Sequence, residues 1–108
     1  MEKKQLSTNI LGRSEEFTNP EDLASRIWDT VVKAYDDSSI TQATVSISDS
    51  DIVLSYPLKD TLNVVSFLCS DKIDKKEVLQ IFSNIAGKSD IKGKIYCQNT
   101  VIKLFFHH

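Results

Sequence analysis

Apolar residues recur every three or four positions in a first stretch of the chain, which is the spacing of one face of a helix. The stretch follows Asn19-Pro20, a pair typical of a helix start because asparagine caps free N–H groups and proline has no N–H to leave unpaired. Glu21 and Asp22 add negative charge, which the positive end of the helix dipole favours. These signals predict a first helix that begins at Asn19-Pro20 and ends at the polar run 36–39. Its apolar stripe consists of Ala24, Ile27, Trp28, Val31 and Tyr35.

A second stretch carries the same spacing and clearer end signals. Asp74 and Glu77, three residues apart, form the pattern of a capping box, and Ile73 with Val78 forms the pattern of a hydrophobic staple. Gly87 is predicted to end this helix in the left-handed conformation that glycine adopts easily. Its apolar stripe consists of Val78, Ile81, Phe82 and Ile85.

Five shorter runs follow the period of two that is typical of strands. Three lie between the helices, "QATVSIS", "DIVLSY" and "TLNVVSFLC", and two follow the second helix, "IKGKIYC" and "TVIKLFF". Pro57 is predicted to end the second run, because proline removes a ladder donor. The third run is apolar on both faces, which favours a place inside the sheet. Gln98-Asn99 joins the last two runs, which predicts a hairpin.

These elements predict an α+β fold with the order α-β-β-β-α-β-β. It has a five-stranded, mainly antiparallel sheet with two amphipathic helices on one face. A chain of 108 residues fits one domain, predicted over residues 19–106. Residues 1–18 are predicted to be an arm that either covers the sheet or is disordered. His107-His108 reads as the remnant of a purification tag.

Two helices are enough to cover only one face of such a sheet. The face predicted to meet them consists of Val45, Ile47, Ile52, Leu54, Leu62, Val64, Leu68, Ile95, Ile102 and Leu104. Six apolar residues are then left on the opposite face, namely Val53, Val65, Phe67, Tyr96, Val101 and Phe105. An apolar patch of this kind tends to mark an interface, so these six are predicted to bind a partner. The alternatives are cover by the N-terminal arm or a different order of strands.

Composition and residue usage exclude several classes of protein. With 41% hydrophobic and 26% charged residues, the chain has the mixture of a globular domain. It has no run long enough for a membrane span and no secretory signal, which predicts a cytoplasmic protein without a membrane partner. The only histidines are His107 and His108, so the body of the chain lacks the imidazole of most catalytic pairs and zinc sites. Three scattered glycines form no phosphate-binding loop. No catalytic residue, metal ligand, cofactor or small-molecule substrate is therefore predicted.

The remaining candidates for chemistry have simpler explanations. Asp49-Ser50-Asp51 has the spacing of a metal-binding pair, but it lies between two alternating runs, where aspartate and serine favour a hairpin corner. Cys69 near Lys72 has the pattern of an activated thiol, and the alternative is a thiol that packs at a strand end. We favour the corner and the packed thiol.

Charge is distributed unevenly along the chain. Residues 1–54 hold five basic and ten acidic residues, a net charge of −5, whereas residues 55–108 hold eight and five, a net charge of +3. The acidic helix face of Glu21, Asp22 and Asp29 offers a second contact surface. The lysines of the second half are the basis of a nucleic-acid-binding alternative, against which the pI of about 5.6 argues.

The sequence therefore predicts a non-catalytic intracellular domain that binds another protein. The most specific prediction is an immunity or inhibitor protein that neutralises a toxin such as a nuclease, because the chain is small, its N-terminal half is acidic and it has no catalytic equipment. The order of elements is also similar to that of class I chaperones of type III secretion, which are small acidic dimers with one further helix. That likeness implies an effector or a second copy as the partner, and it transfers no residues.

Overall fold

The computed structural model describes residues 13–48, 51–70, 73–88, 93–98 and 101–106, except the side chains of residues 94, 97 and 98. Of the predicted arm, residues 1–12 lie outside the described part, as do Asp49, Ser50, Lys72 and the two histidines. The α+β class with two helices is confirmed. The elements are β1 (Arg13–Phe17), α1 (Pro20–Ser38), β2 (Gln42–Ile47), β3 (Asp51–Leu58), β4 (Thr61–Cys69), α2 (Lys75–Gly87), β5 (Gly93–Gln98) and β6 (Val101–Phe106).

The predicted sheet of five strands is wrong by one strand. The described residues form six strands in the order β1-β4-β3-β2-β6-β5, and the element order is β-α-β-β-β-α-β-β. The added strand, β1, pairs in parallel with β4, so the sheet is mixed, while the other four pairs of neighbours are antiparallel. The sequence of β1, RSEEF, is too polar for an alternating pattern, which is tolerated because the strand lies at an edge.

The helix starts are where the sequence places them. The side chain of Asn19 accepts hydrogen bonds from the N–H groups of Glu21 at 2.8 Å and Asp22 at 3.3 Å. The carboxylate of Asp74 accepts one from the N–H of Lys76 at 3.0 Å. The prediction that Gly87 is a left-handed stop is wrong, because Gly87 is the last helical residue and its φ is not positive. The N–H of Lys88 ends α2 by donating to the carbonyl of Ile85.

The face of β4 that meets the helices differs from the predicted one. β3 continues through Pro57 to Leu58, and a two-residue turn at Lys59-Asp60 brings Thr61 opposite Leu58. From that pair the antiparallel register places Phe67 opposite Ile52. Because paired residues share a face, Phe67 lies with the helices. The prediction that Leu62, Val64 and Leu68 face the helices is wrong, because their partners Pro57, Ser55 and Asp51 lie on the other side of the sheet.

One hydrophobic core lies between the helical layer and the sheet. The indole of Trp28 on α1 meets the ring of Phe82 on α2 edge to face, with 5.9 Å between the ring centroids. At the other end of α1, Tyr35 packs against Phe106 at 5.4 Å. The fully buried larger side chains are Phe67, Phe82, Leu23, Ile27, Ile52, Leu54, Ile102, Leu104, Val31, Val45 and Val78.

Neither described helix is both long enough and apolar enough to cross a lipid bilayer.

Candidate functional site

The face of the sheet that points away from the helices, here called the open face, exposes large apolar side chains. Leu62 is 52% exposed, Leu68 40%, Tyr96 53% and Phe105 38%. We call these four the rim residues, because they lie towards the ends and sides of the face. In the middle, small polar residues alternate with valines, because Val53 is paired with Ser46 and Ser66, and Val64 is paired with Ser55. The open face therefore has exposed apolar groups around a middle of hydroxyl-bearing residues and less exposed valines.

Four of the six residues predicted to form this patch lie on the open face. Tyr96 and Phe105 are rim residues, and their rings meet edge to face with 5.6 Å between centroids. Val53 and Val101 lie nearer the middle and are partly buried. The contact between the two rings forms an aromatic pair on the edge strand β5 and its neighbour β6, and aromatic residues are enriched at binding hot spots.

The prediction that Val65 and Phe67 lie on the open face is wrong. Both are buried in the core, and Phe67 packs against Phe17 of β1 with 6.0 Å between ring centroids. Their places on the open face are taken by Leu62 and Leu68 of the same strand. Because β4 is apolar at both odd and even positions, the composition of the strand did not distinguish the two faces.

A shallow pocket of about 180 Å³ lies at one end of the open face. A line of paired residues on three neighbouring strands crosses this pocket, in which Thr44 of β2 is paired with Ser55 of β3 on one side and with Lys103 of β6 on the other. Leu62 and Phe105 are among the apolar residues of its lining. A pocket of this size is small for a free ligand, since ligand pockets usually have volumes of about 300 Å³ or more. Its lining offers hydroxyl groups and one ammonium group for polar contacts. The full lining is Gln42, Ala43, Thr44, Ser55, Tyr56, Pro57, Leu62, Lys103 and Phe105.

The acidic surface of α1 lies on the helical side and is separate from the open face. Glu21, Asp22 and Asp29 are all exposed, as predicted from the helix pattern. The helix holds five acidic and two basic residues, a net charge of −3. One of the two basic residues, Arg26, pairs with Glu15 of β1 at 3.1 Å.

The hairpin corner predicted at the two aspartates is confirmed for the residues that the structure describes. The N–H of Ser48 donates to the carbonyl of Asp51 at 2.9 Å, and the hydroxyl of Ser48 bonds to the carboxylate of Asp51. The other aspartate of the pair, Asp49, lies outside the described residues. Among those described, no three cysteine, aspartate or glutamate side chains group as metal ligands would.

Of the two alternatives for Cys69, an activated thiol or a thiol packed at a strand end, the structure supports the packed thiol. It lies at the end of β4, partly buried against the core. Burial raises the pKa of the thiol above its usual value, and the nearby carboxylate of Asp51 adds to this, while Lys75 acts in the opposite direction. A raised pKa disfavours the thiolate, which is the reactive form, so the environment of Cys69 does not activate it.

No protein-family model matches the chain, and neither a curated protein nor a solved structure was found that is similar to it.

Proposed function

We propose that this chain is a non-catalytic protein-binding domain that contacts its partner through the open face. The observation that carries the proposal is the exposure of the four rim residues on the side of the sheet opposite the helices. Three of the four are grouped, since Leu62 and Phe105 line one pocket and Phe105 contacts Tyr96. Grouped exposed apolar side chains on a small domain tend to mark an interaction site, whereas isolated ones are common on any surface.

The arrangement of the open face supports a partner that is itself a protein. The aromatic pair Tyr96 and Phe105 supplies large contact area with few rotatable bonds, and the serine and threonine residues of the middle supply hydroxyl groups for hydrogen bonds. A protein interface commonly combines buried apolar residues with about ten direct hydrogen bonds. Lys103, exposed on β6 and part of the pocket lining, favours a carboxylate on the partner over a second cation.

The first test removes apolar area from the pocket without touching the core. Leu62→Ser and Phe105→Ser should each weaken partner binding by about tenfold or more, since truncation of an apolar anchor that fills a pocket of the interface costs over about 1.4 kcal/mol. The partner would be recovered from the native cell with tagged wild-type protein, and its affinity for each variant measured by calorimetry. Thermal unfolding of each variant checks that the fold is retained.

The matched control for this test is Lys76→Ser, which alters an exposed residue on the helical side that belongs to neither proposed contact surface. It should bind the partner as the wild type does. If the two open-face variants bind normally, or if the control loses as much affinity as they do, the open face is not the contact surface.

A second and more specific function within the same class is the inhibition of a basic toxin such as a nuclease. The net charge of −3 on α1, exposed on the helical side, favours this function. Opposite surface charge accelerates the encounter of two proteins and adds to specificity. This surface is separate from the open face, so each can be tested by itself.

The test of this second function neutralises the acidic surface. A triple variant, Glu21→Gln, Asp22→Asn and Asp29→Asn, should slow association with a basic toxin by about tenfold at low salt, because electrostatic steering is lost. Rates would be measured over a salt series with the protein encoded by the adjacent reading frame. Asp60→Asn, in the exposed turn before β4, is the control and should change the rate little. Equal rates for the triple variant and the wild type at every salt concentration would exclude the acidic surface as the toxin site.

A further inference from the structure

The two edges of the sheet differ in chemistry. The edge strand β1, RSEEF, has charged residues at three of its five positions, and Glu15 is tied to α1 through Arg26. The opposite edge strand β5, GKIYCQ, has one charged residue and the apolar pair Ile95-Tyr96 in its middle. Charged residues on an edge strand prevent pairing with other chains. β1 is protected in this way, whereas the middle of β5 is not.

β5 has the regular backbone that strand pairing requires. Its register with β6 runs without a bulge from Gly93 opposite Phe106 to Gln98 opposite Val101. In the part of the chain that the structure describes, no strand pairs with its other side. The strand contains no proline, so every residue keeps its N–H. An edge of this kind presents a row of N–H and C=O groups to a further strand.

The side chains in the middle of β5 are exposed on both faces of the sheet. Ile95 is paired with Leu104, which is 1% exposed, and therefore lies on the helical side, yet Ile95 itself is 38% exposed. Its neighbour Tyr96 is a rim residue on the open face. An edge strand with exposed apolar side chains on both faces is a template for pairing with another chain.

We infer that β5 pairs antiparallel with β5 of a second copy of this chain. A two-fold axis at Ile95 places this residue opposite itself, so that each isoleucine covers the other on the helical side. The same axis places position 94 opposite Tyr96 of the second copy. An interface with two-fold symmetry must be self-complementary in this way, and a cross-strand apolar pair at its centre satisfies that condition.

The pairing would give one continuous sheet through both copies. Neighbouring strands lie about 4.8 Å apart, so the Tyr96 and Phe105 pairs of the two copies would lie side by side on one extended open face. The inference does not depend on the proposed function, because it rests on the edge of the sheet and not on its face. If both hold, the partner surface is built from two chains.

The pairing of the two β5 strands is tested by placing a positive or a negative charge at Ile95, the residue on the two-fold axis. Ile95→Lys and Ile95→Glu each bring two like charges together across the two-fold axis, which is destabilising in a cross-strand pair. We expect the wild type to be a dimer by light scattering over a dilution series, and each variant alone to dissociate at a concentration at least tenfold higher. An equimolar mixture of the two variants should dimerise again, because lysine then faces glutamate. Circular dichroism checks that each variant is folded.

Leu62→Lys is the control, since it places the same charge on the open face far from β5, and it should leave the dimer intact. A monomeric wild type overturns the inference, as does a mixture that fails to recover the dimer. Loss of the dimer in Leu62→Lys with a stable dimer in the Ile95 variants would place the interface on the open face instead.

Amide hydrogen exchange on the wild type gives a second measurement that needs no variant. Exchange in Gly93–Gln98 should slow by tenfold or more as the protein concentration rises through the dimer range, while exchange in Arg13–Phe17 stays constant. Exchange in β5 that is independent of concentration, in a sample shown to be dimeric, would contradict pairing through this edge.

Discussion

Replacing Phe67 with alanine is expected to lower the free energy of unfolding by about 3 to 5 kcal/mol, the usual cost of truncating a buried phenylalanine. The side chain is 1% exposed and lies in the core opposite Ile52, in contact with Phe17. Removing it deletes contacts to β1 and leaves a cavity between the sheet and the helices. Because domains of this size are stable by about 5 to 15 kcal/mol, the loss is a large part of the total. Urea unfolding followed by tryptophan fluorescence measures it.

The neighbouring residue gives a matched control on the same strand. Leu68→Ala also shortens an apolar side chain of β4, but Leu68 is 40% exposed on the open face. We expect a loss of about 1 kcal/mol or less, because the side chain is only partly removed from water when the chain folds. The opposite ranking, with Leu68→Ala costing more than Phe67→Ala, would mean that the register of β3 and β4 is shifted by one residue.

The helices were predictable because their signals are local. The caps at Asn19 and Asp74 act on N–H groups two or three residues away, and the apolar stripes need only the period of the helix. The α+β class followed from the alternation of the strands between and after the helices. These features depend on neighbours in the sequence, and the structure confirms them.

β1 was not predictable from its own residues. RSEEF shows no strand pattern. It becomes a strand only because the side of β4 that does not pair with β3 offers it hydrogen-bonding partners. Its partner Val65 lies about fifty residues later in the sequence than Arg13, with most of the domain between them. A pairing of this kind depends on the folded sheet, so the local pattern contains no signal for it.

The error in the face of β4 came from the turn before it. In β3 the even-numbered residues 52, 54 and 56 lie on the core side, and a two-residue connection makes the odd-numbered residues of β4 their partners. Lys59-Asp60 lacks the usual Asn-Gly signal of such a turn, although Lys59 adopts a positive φ of 59°. Pro57 favours an earlier end of β3 and therefore a different register. The two-residue turn is what places Leu62 and Leu68 on the open face and Phe67 in the core.

Only two of the four rim residues of the candidate site were predictable from the sequence pattern. Tyr96 and Phe105 were predicted because β5 and β6 alternate clearly, so each apolar residue has a definite face. Leu62 and Leu68 were missed because β4 is apolar on both faces, and only the register of the turn separates them. Which residues form the site therefore followed from strand pairing more than from composition.

Gly93→Ala is expected to destabilise the fold by about 2 to 3 kcal/mol, in the upper part of the range for overpacking. A Cβ atom at this position would overlap the backbone carbonyl oxygen of Phe105, and the Cα atom of Phe106 would be 3.2 Å away. Both obstacles are backbone atoms of β6, so they can move only if the pairing of Gly93 with Phe106 opens. Since Phe106 packs against Tyr35 of α1, that opening would also weaken the edge of the core. Thermal unfolding measures the loss.

Gly87→Ala is the matched control, because the same methyl group enters open space there. No atom lies within 4 Å of its Cβ position, and the residue is helical with no positive φ. Alanine is favoured over glycine in a helix by about 0.5 to 1 kcal/mol, so this variant should be as stable as the wild type or slightly more stable. The same substitution should therefore lower the stability at Gly93 and leave it unchanged or raise it slightly at Gly87. A Gly93→Ala protein that unfolds at the wild-type temperature would show that β5 and β6 do not approach as closely as described. It would also contradict the edge geometry on which the pairing of two copies depends.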